Sequence, residues 1–185
     1  MTPEESRAAA VAAARELLRN EGAAAITLKA VATRMGRTHA ALLHHFGSVD
    51  ELHAALADEI AREVADSIAS SIGRYQAGQT KLRSVVENMF SEFREQKFGE
   101  LIAWVVLSRR REALEPVERA IAGVIEQITQ EGETRPLDRA TLGLVLFAVG
   151  DALVGDEVAR ACDLPPSAAH EIAIRQILAV LRERI

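Results

Sequence analysis

The feature that most limits how this chain can fold is the near absence of strand-like sequence. Alanine, leucine, glutamate and arginine dominate, and no run of β-branched residues alternates with polar ones, so helix-forming residues prevail throughout. Glycines and prolines divide the sequence into segments, and Thr27 and Thr38 stand where N-caps are expected. These signals predict an all-α fold of about nine helices, over residues 3–20, 27–35, 38–45, 48–71, 79–96, 98–110, 116–131, 137–158 and 167–184.

The composition excludes several classes of protein. Of the 185 residues, 49% are hydrophobic and 26% are charged, which supplies a core and rules out a disordered chain. The single cysteine, Cys162, cannot form an intramolecular disulfide, which favours a reducing compartment. No apolar run reaches the roughly 18 residues that span a bilayer. The acidic start Met-Thr-Pro-Glu-Glu is also unlike a signal peptide, so we expect a cytoplasmic protein without a membrane partner.

The net charge of −5 argues at first against a nucleic-acid partner, since such proteins usually carry a basic surface. The charge is unevenly divided along the chain, however. Residues 1–46 contain six Lys and Arg against four acidic residues, a balance of +2, whereas residues 47–185 contain 16 against 23, a balance of −7. The acidity therefore belongs to the C-terminal part, and the N-terminal part is mildly basic.

Residues 27–46 have the pattern of a helix-turn-helix. Two short helices are joined by a tight turn at Gly36, where a left-handed backbone conformation favours glycine. Ala32 is small enough to let the helices cross closely. Three apolar residues are spaced to pack on the first helix of the chain: Val31, Met35 and Leu42.

The residues around this motif resemble the DNA-binding domain of the TetR family of bacterial transcriptional regulators. The resemblance runs from Arg7 to Leu56 and is followed by a helical remainder of the expected size. It is carried by Arg7, Leu17-Leu18, Gly22, Ile26-Thr27, Val31-Ala32, Met35-Gly36, Leu42-Leu43-His44-His45-Phe46, Ser48 and Glu51-Leu52. It implies a homodimer that places one recognition helix per subunit, here about 38–45, in successive major grooves of a palindromic operator.

The sequence departs from the family pattern at two positions. Leu43 stands where the family commonly has a tyrosine that contacts the DNA backbone, and Val49 stands where a lysine usually contacts phosphate. Both changes remove a polar side chain that would contact the DNA backbone. We therefore expect weaker nonspecific affinity for DNA, or compensation by neighbouring residues.

The remaining residues of the motif suggest how DNA would be contacted. Arg37 can pair with guanine or phosphate, and Ala40 can touch a thymine methyl group. Three further polar residues are expected to face outward from the recognition helix: Thr38, His39 and His44. Thr27 and Lys29, at the start of the preceding helix, are phosphate candidates. For each of these residues, a solvated surface position without base contact is the alternative.

Two other kinds of site receive little support. His39, His44, His45 and His53 lie close in sequence, but their spacing does not place them on one helix face and no cysteine accompanies them, so a metal site is disfavoured. No phosphate-binding loop, zinc motif or nucleophile with a matching base occurs, so we expect neither a cofactor nor enzymatic activity.

The C-terminal part carries two features that suggest its role. The predicted helices over 137–158 and 167–184 have apolar stripes too broad for one side of a small core, which favours a four-helix homodimer interface over an ordinary monomer core. Aromatic and polar side chains on the central helices suggest a pocket for a small apolar or amphipathic ligand, although simple core packing is the alternative for each. The candidates are Phe90, Phe93, Trp104, Ser108, Phe147 and Asp151.

The sequence thus predicts two domains. Residues 1–47 form a helix-turn-helix DNA-binding domain, and residues 48–185 form a helical regulatory and dimerisation domain, with 48–71 as the connecting helix. The expected function is a dimeric transcriptional regulator, a repressor that a small ligand releases from its operator. The alternative, suggested by Leu43 and Val49, is a helical ligand-binding protein with weakened or lost DNA binding.

Overall fold

The computed structural model describes residues 2–129 and 136–182 of the chain. Within these ranges the protein has nine α-helices and two short 3₁₀ helices and contains no strand, which confirms the predicted all-α fold. The helices are α1 (Pro3–Glu21), α2 (Leu28–Arg34), α3 (His39–Phe46), α4 (Val49–Gln76), α5 (Leu82–Glu95), α6 (Phe98–Leu107), α7 (Glu115–Ile128), α8 (Leu137–Ala161) and α9 (Ala168–Val180).

Helices α4, α6 and α8 end at positions that the breakers did not predict, and α8 runs to Ala161 instead of 158. Helix α4 continues to Gln76 instead of stopping near 71, because Gly73 sits inside the helix, where a single glycine costs only about 1 kcal/mol. Helix α6 stops at Leu107 instead of 110, because the backbone of Arg109 turns to a φ of 58°. The predicted helix ends at 131 and 184 lie outside the described residues.

Helix packing divides the chain into two units that are not contiguous in sequence. The first unit comprises Met1–Ala61 and Glu100–Glu118, and the second comprises Arg62–Gly99 and Arg119–Ile185. The boundary predicted between residues 47 and 48 separates a DNA-binding part from a regulatory part, whereas these two units are defined by packing. The finding that sequence did not anticipate is that residues 100–118 pack with the N-terminal helices.

The core of the first unit is built on the small face of α1. Ala10, Ala14 and Leu18 are fully buried there, and the helices α2 and α3 pack against α1. Other buried residues of this unit are Val31, Ala32, Leu42, Phe46, Leu52, Leu56, Ile60, Leu101 and Val105. The carboxylate of Glu100 accepts a hydrogen bond from the Ala23 backbone N–H at 2.9 Å, which ties α6 to the chain before α2.

The second unit is centred on α5, α8 and α9, which pack against one another. Its buried cluster consists of Val86, Phe90, Ala173 and Ile174, with Leu144, Phe147 and Ala169 packed around it. An exposed ion pair between Arg83 and Glu171 joins α5 to α9 and raises the pKa of the guanidinium while it lowers the pKa of the carboxyl. No helix in the described ranges is both long enough and apolar enough to cross a membrane.

Candidate functional site

The turn between α2 and α3 has the geometry expected of a helix-turn-helix. Gly36 has a φ of 64°, and the N–H of Arg37 donates to the carbonyl of Ala32 at 2.9 Å, which closes the end of α2. Val31, Ala32 and Leu42 are almost completely buried. One side of the motif is therefore fixed in the core, and its opposite side is left to solvent.

Both short helices begin with the predicted threonine N-caps. The hydroxyl oxygen of Thr27 accepts from the Ala30 N–H at 3.1 Å, and that of Thr38 accepts from the Ala41 N–H at 3.2 Å. Each hydroxyl keeps its own proton, which is free to be donated to another acceptor such as a phosphate oxygen. The capping role thus does not exclude the DNA contact predicted for either residue.

All the residues predicted to contact DNA are solvent-exposed, on the start of α2, the turn and the outer side of α3. They are Thr27, Lys29, Arg37, Thr38, His39, Ala40, Leu43 and His44. Leu43 is a large apolar side chain that is 43% exposed in this otherwise polar group. The buried residues of the same helix, Leu42 and Phe46, point into the core.

Several cations of the N-terminal region are occupied within the protein. Arg34 pairs with Glu16 at 3.6 Å and with Glu21 at 3.1 Å. The guanidinium of Arg7 lies 4.5 Å from the centre of the Phe46 ring, and Arg15 pairs with Glu59 at 3.3 Å. The described structure gives no such partner to Lys29 and Arg37, so these two lie open at the proposed DNA surface.

A buried histidine connects the start of α4 to the chain on either side of it. His53 is fully buried, and its Nε2 lies 3.2 Å from the carbonyl oxygen of Ile26, so Nε2 carries the proton that this carbonyl accepts. Its Nδ1 lies 3.3 Å from Nη1 of Arg110 and accepts from that guanidinium. Burial, and then the positive charge of Arg110, lower the pKa of His53 to about 4.

Arg110 and Trp104 complete this cluster. Arg110 donates from Nε to Asp50 at 2.9 Å, and its guanidinium lies 5.2 Å from the Trp104 ring, which in turn lies 4.4 Å from the imidazole of His53. Sequence reasoning missed this cluster. Residues 57 positions apart give no periodic signal, so only the fold reveals that Arg110 binds His53.

An open recess of about 390 Å³ lies in the first unit beside this cluster. Its lining includes Lys29, His39, Leu43, Val49, Trp104 and Arg110. Leu43 and Val49, the two departures from the family pattern, therefore meet at one place. None of the described residues that line the recess is acidic.

The six residues predicted to bind a ligand are not gathered in one cavity. Trp104 and the exposed Ser108 belong to the first unit, and Trp104 lines the recess. The other four belong to the second unit, where Phe90 and Phe147 pack in the buried cluster and Phe93 contacts Phe98 with ring centres 5.1 Å apart. Asp151 is a buried ion-pair partner instead of a pocket wall.

Asp151 anchors α8 within the second unit. Its Oδ2 accepts from Arg94 at 2.9 Å and lies 3.6 Å from Nε2 of His170, whose ring stands 4.2 Å from that of Phe90. The pKa of Arg94 is raised by its hydrogen bond to Asp151 and then by its bond to Asp156. Asp151 thus joins α8 to α5 and lies beside α9.

The second unit contains a small cavity of about 90 Å³ between the end of α4 and its neighbours α5, α7, α8 and α9. Its walls are almost entirely aliphatic, with Tyr75, Gln76 and Thr141 as the polar members. None of the described lining residues is charged. Leu144 lines this cavity and also packs against the buried cluster that contains Phe90, so that cluster adjoins the cavity wall.

Helix α8 also carries an apolar stripe that the described chain leaves uncovered. Leu142, Leu146, Val154 and Val158 recur at intervals of four or eight residues and are 62%, 64%, 51% and 54% exposed. Ile172 and Leu178 of α9 are also exposed, by 43% and 38%. Large apolar residues in such a row on one helix usually mark an interaction surface.

Comparison with known proteins agrees with this architecture. Residues 10–56 match the model of the family described as bacterial regulatory proteins, tetR family. No curated protein matches the chain in sequence. The resemblance to the TetR family that the sequence indicated is therefore confirmed by the family match to its helix-turn-helix region.

Solved structures with the same fold extend over almost the whole chain. The multidrug binding protein EbrR, complexed with imidazole, superposes with a TM-score of 0.67 at 18% identity, covering 97% of this chain and 91% of EbrR. A structure described as a TetR-family transcriptional regulator from Mesorhizobium loti has a TM-score of 0.64 at 15% identity, covering 98% and 97%. A transcriptional regulator from a Rhodococcus species has a TM-score of 0.57 at 18% identity, covering 98% and 97%.

Proposed function

We propose that this chain, whose residues 10–56 belong to the TetR family and which has the fold of that family's regulators, is a homodimeric transcriptional repressor. It binds a palindromic DNA operator in the cytoplasm and is released by a small apolar or amphipathic ligand. The observation that carries the proposal is the exposed polar surface of α2 and α3 on a motif whose other side is buried. This role requires no catalysis and no cofactor.

The exposed residues divide into two kinds of DNA contact. Arg37, His39 and Ala40 lie at the N-terminal end of the recognition helix, the end that reaches base edges in this motif. Thr27, Lys29 and Thr38 are suited to phosphate oxygens, which fix the position of the protein on the duplex. Loss of a base contact should reduce sequence preference, whereas loss of a phosphate contact should weaken binding to all sequences.

The test begins with selection of operator fragments by the purified protein. With the selected operator, His39→Ala should weaken specific binding by roughly 5- to 150-fold and change nonspecific binding little. Lys29→Ala should weaken both and should make the salt dependence shallower. Specific binding that is unchanged in His39→Ala would remove His39 from the base-reading set.

Salt dependence tests the DNA-binding proposal as a whole. If Lys29 is the cation at the phosphates and Arg37 reads a base, a dimer has two such contacts, and the logarithm of the affinity should fall against the logarithm of salt with a slope of about −2. The slope becomes about −4 if Arg37 contacts phosphate instead. The second candidate function, a ligand-binding protein without DNA binding, is favoured by Leu43 and Val49 at the DNA surface. That protein would show no salt-dependent binding to any fragment.

The apolar stripe on α8 supports the homodimer. Two copies of α8 and α9 can cover each other's exposed leucines and valines, as an isologous interface requires. A subunit of 20.1 kDa should sediment at about twice that mass. Leu146→Glu with Val154→Glu should produce monomers, whereas Ala122→Glu, at an exposed position of α7, should not. A wild-type chain that sediments as a monomer would contradict the proposal.

The cavity of about 90 Å³ supports a small uncharged ligand. Aliphatic walls favour apolar groups, and Tyr75, Gln76 and Thr141 can satisfy one or two polar atoms. EbrR, which shares the fold, is named as a multidrug binding protein. A ligand that prefers one conformation would shift the population of DNA-competent dimers. Ligands of this cavity should raise the melting temperature of the wild-type protein and release it from DNA. Both effects should be lost in the variant Leu144→Trp, whose larger side chain fills the cavity. If both effects persist in that variant, the ligand site lies elsewhere.

A further inference from the structure

The recess of about 390 Å³ in the first unit is not used by the function proposed above. Its volume lies within the range of small-molecule pockets, which is about 300–1,000 Å³. It is open to solvent beside the recognition helix, and four of its lining residues are also predicted DNA contacts: Thr27, Lys29, His39 and Leu43. We propose that this recess binds a small aromatic carboxylate, and that the bound anion competes directly with DNA.

The walls of the recess favour an aromatic body. Leu43 and Val49 present aliphatic surface, and Trp104 adds an aromatic ring whose position is held by His53 at 4.4 Å. A tyrosine and a lysine at positions 43 and 49 would make this surface larger and more polar. The two departures from the family pattern therefore create the apolar character of the recess.

The charges of the recess favour an anion. Lys29 and Arg110 line it, and none of the described lining residues is acidic. Arg110 is paired with Asp50 at 2.9 Å and donates to His53, so its charge is largely balanced and its donors are occupied. Lys29 is exposed and carries the ammonium group that can pair with a carboxylate.

The location of the recess makes competition the expected consequence. A carboxylate paired with Lys29 removes one of the two open cations of each DNA-binding surface, and an aromatic ring against Leu43 stands beside His39. Competition obeys mass action, so DNA affinity falls without limit as the anion concentration rises. A ligand that acts from the cavity of the second unit would instead produce a plateau, because it can shift an equilibrium only by its differential affinity.

Binding itself can be measured without DNA, because Trp104 is the only tryptophan of the chain. Benzoate should change the fluorescence of Trp104 along a saturable curve, and benzyl alcohol and benzylamine should bind at least about threefold more weakly, as expected for one exposed ion pair. Ala24→Phe, which places a ring in the recess, should abolish the change, whereas Thr141→Leu in the other cavity should retain it. Circular dichroism establishes that both variants are folded.

Two results would overturn the binding proposal: no saturable change with benzoate, or equal binding of benzoate and benzylamine. Retention of binding in a folded Ala24→Phe variant would place the site elsewhere and would also overturn the binding proposal.

The competition step rests on the proposed DNA binding and has its own test. At a benzoate concentration ten times its dissociation constant, each of the two recesses of a dimer contributes a factor of about 11, so the dissociation constant of the operator should rise about 120-fold and continue to rise at higher concentration.

The two proposals fail in distinguishable ways. If the protein binds no DNA, the proposed function and the competition step are wrong, while the fluorescence titration still decides whether the recess binds an aromatic anion. If DNA binds and benzoate binds, but operator affinity reaches a plateau or does not change, the competition step alone is wrong.

Discussion

The most discriminating prediction concerns the protonation of His53, which holds the start of α4 to the chain before α2. In the folded protein His53 is neutral, because burial and the charge of Arg110 lower its pKa to about 4 from an ordinary value of 6.5. The unfolded chain therefore binds this proton more readily than the folded one. Acidification from pH 6.5 towards pH 4 must then reduce the free energy of unfolding.

The magnitude follows from the same pair of pKa values. At about 1.4 kcal/mol per pKa unit, the gap between 6.5 and about 4 corresponds to about 3 kcal/mol once both states are protonated. At pH 5 the folded protein remains mostly unprotonated at His53, and the loss is about 2 kcal/mol. Above pH 6.5 the contribution is fully present and does not vary.

The substitution that exposes this contribution is His53→Gln. Its amide N–H can still donate to the Ile26 carbonyl, but the acceptor for Arg110 is displaced and the position no longer titrates. We expect a loss of about 1–2 kcal/mol at pH 7.5 from the weakened hydrogen bond. As the pH falls, the wild type should lose its advantage, and the two proteins should become equally stable between about pH 6 and pH 5.

The assay is urea unfolding at fixed protein concentration, followed by circular dichroism at pH 7.5, 6.5, 5.5 and 5.0. His39→Gln, which removes an exposed imidazole from the neighbouring helix, controls for composition. A difference between wild type and His53→Gln that stays constant from pH 7.5 to pH 5.0 would refute the reasoning, because it would show that the buried imidazole is not held neutral by its surroundings.

Three further substitutions test the packing, the caps and the DNA surface. Gly155→Ala should lower the free energy of unfolding by about 1–3 kcal/mol, since a Cβ there would collide with Oδ1 of Asp151. Gly150→Ala on the same helix, where a Cβ meets nothing within 4 Å, should raise the free energy of unfolding by up to about 1 kcal/mol. Equal effects of the two substitutions in urea unfolding would contradict the packing around Asp151. Thr38→Val should cost about 1 kcal/mol because it removes the N-cap bond to Ala41, and Thr38→Ser should restore the loss, as thermal unfolding of both variants will show. Val49→Lys should make the slope of the logarithm of DNA affinity against the logarithm of salt steeper by about 2 per dimer. The control Ala122→Lys on α7 should leave this slope unchanged. A slope that does not respond to Val49→Lys would remove position 49 from the DNA surface.

Much of the N-terminal region could be predicted because its signals are local. Thr27 and Thr38 cap the helices that they were expected to cap, and Gly36 adopts the left-handed conformation that its place in the turn required. N-caps and tight turns depend on residues within four positions of each other, so a short stretch of sequence contains all the information. The exposure of the four DNA-binding candidates on α3 follows from the burial of Leu42 and Phe46 on the same helix.

The rest depends on contacts between residues far apart in the chain. Aromatic content on the middle helices suggested one ligand pocket, but Trp104 packs with His53 and Phe90 packs with His170, in different units. Asp151 was read as a polar pocket residue, yet Arg94 binds it in the core. Hydrophobic periodicity identifies which face of a helix is buried but does not say which helix covers it. Pockets and buried ion pairs therefore required the fold.

The distribution of charge in the first unit links these observations to affinity. Of the six basic side chains before residue 47, Arg7, Arg15 and Arg34 bind groups of the protein itself, and Leu43 and Val49 offer no polar contact to the DNA backbone. If the chain binds DNA as proposed, we therefore expect a small nonspecific attraction to phosphate, with specific binding depending more on base contacts by Arg37 and His39. A surface with so few free cations is also easily neutralised. One anion bound beside Lys29 would neutralise one of the two open cations of the predicted DNA surface, so the proposed carboxylate would weaken DNA binding without any change of conformation.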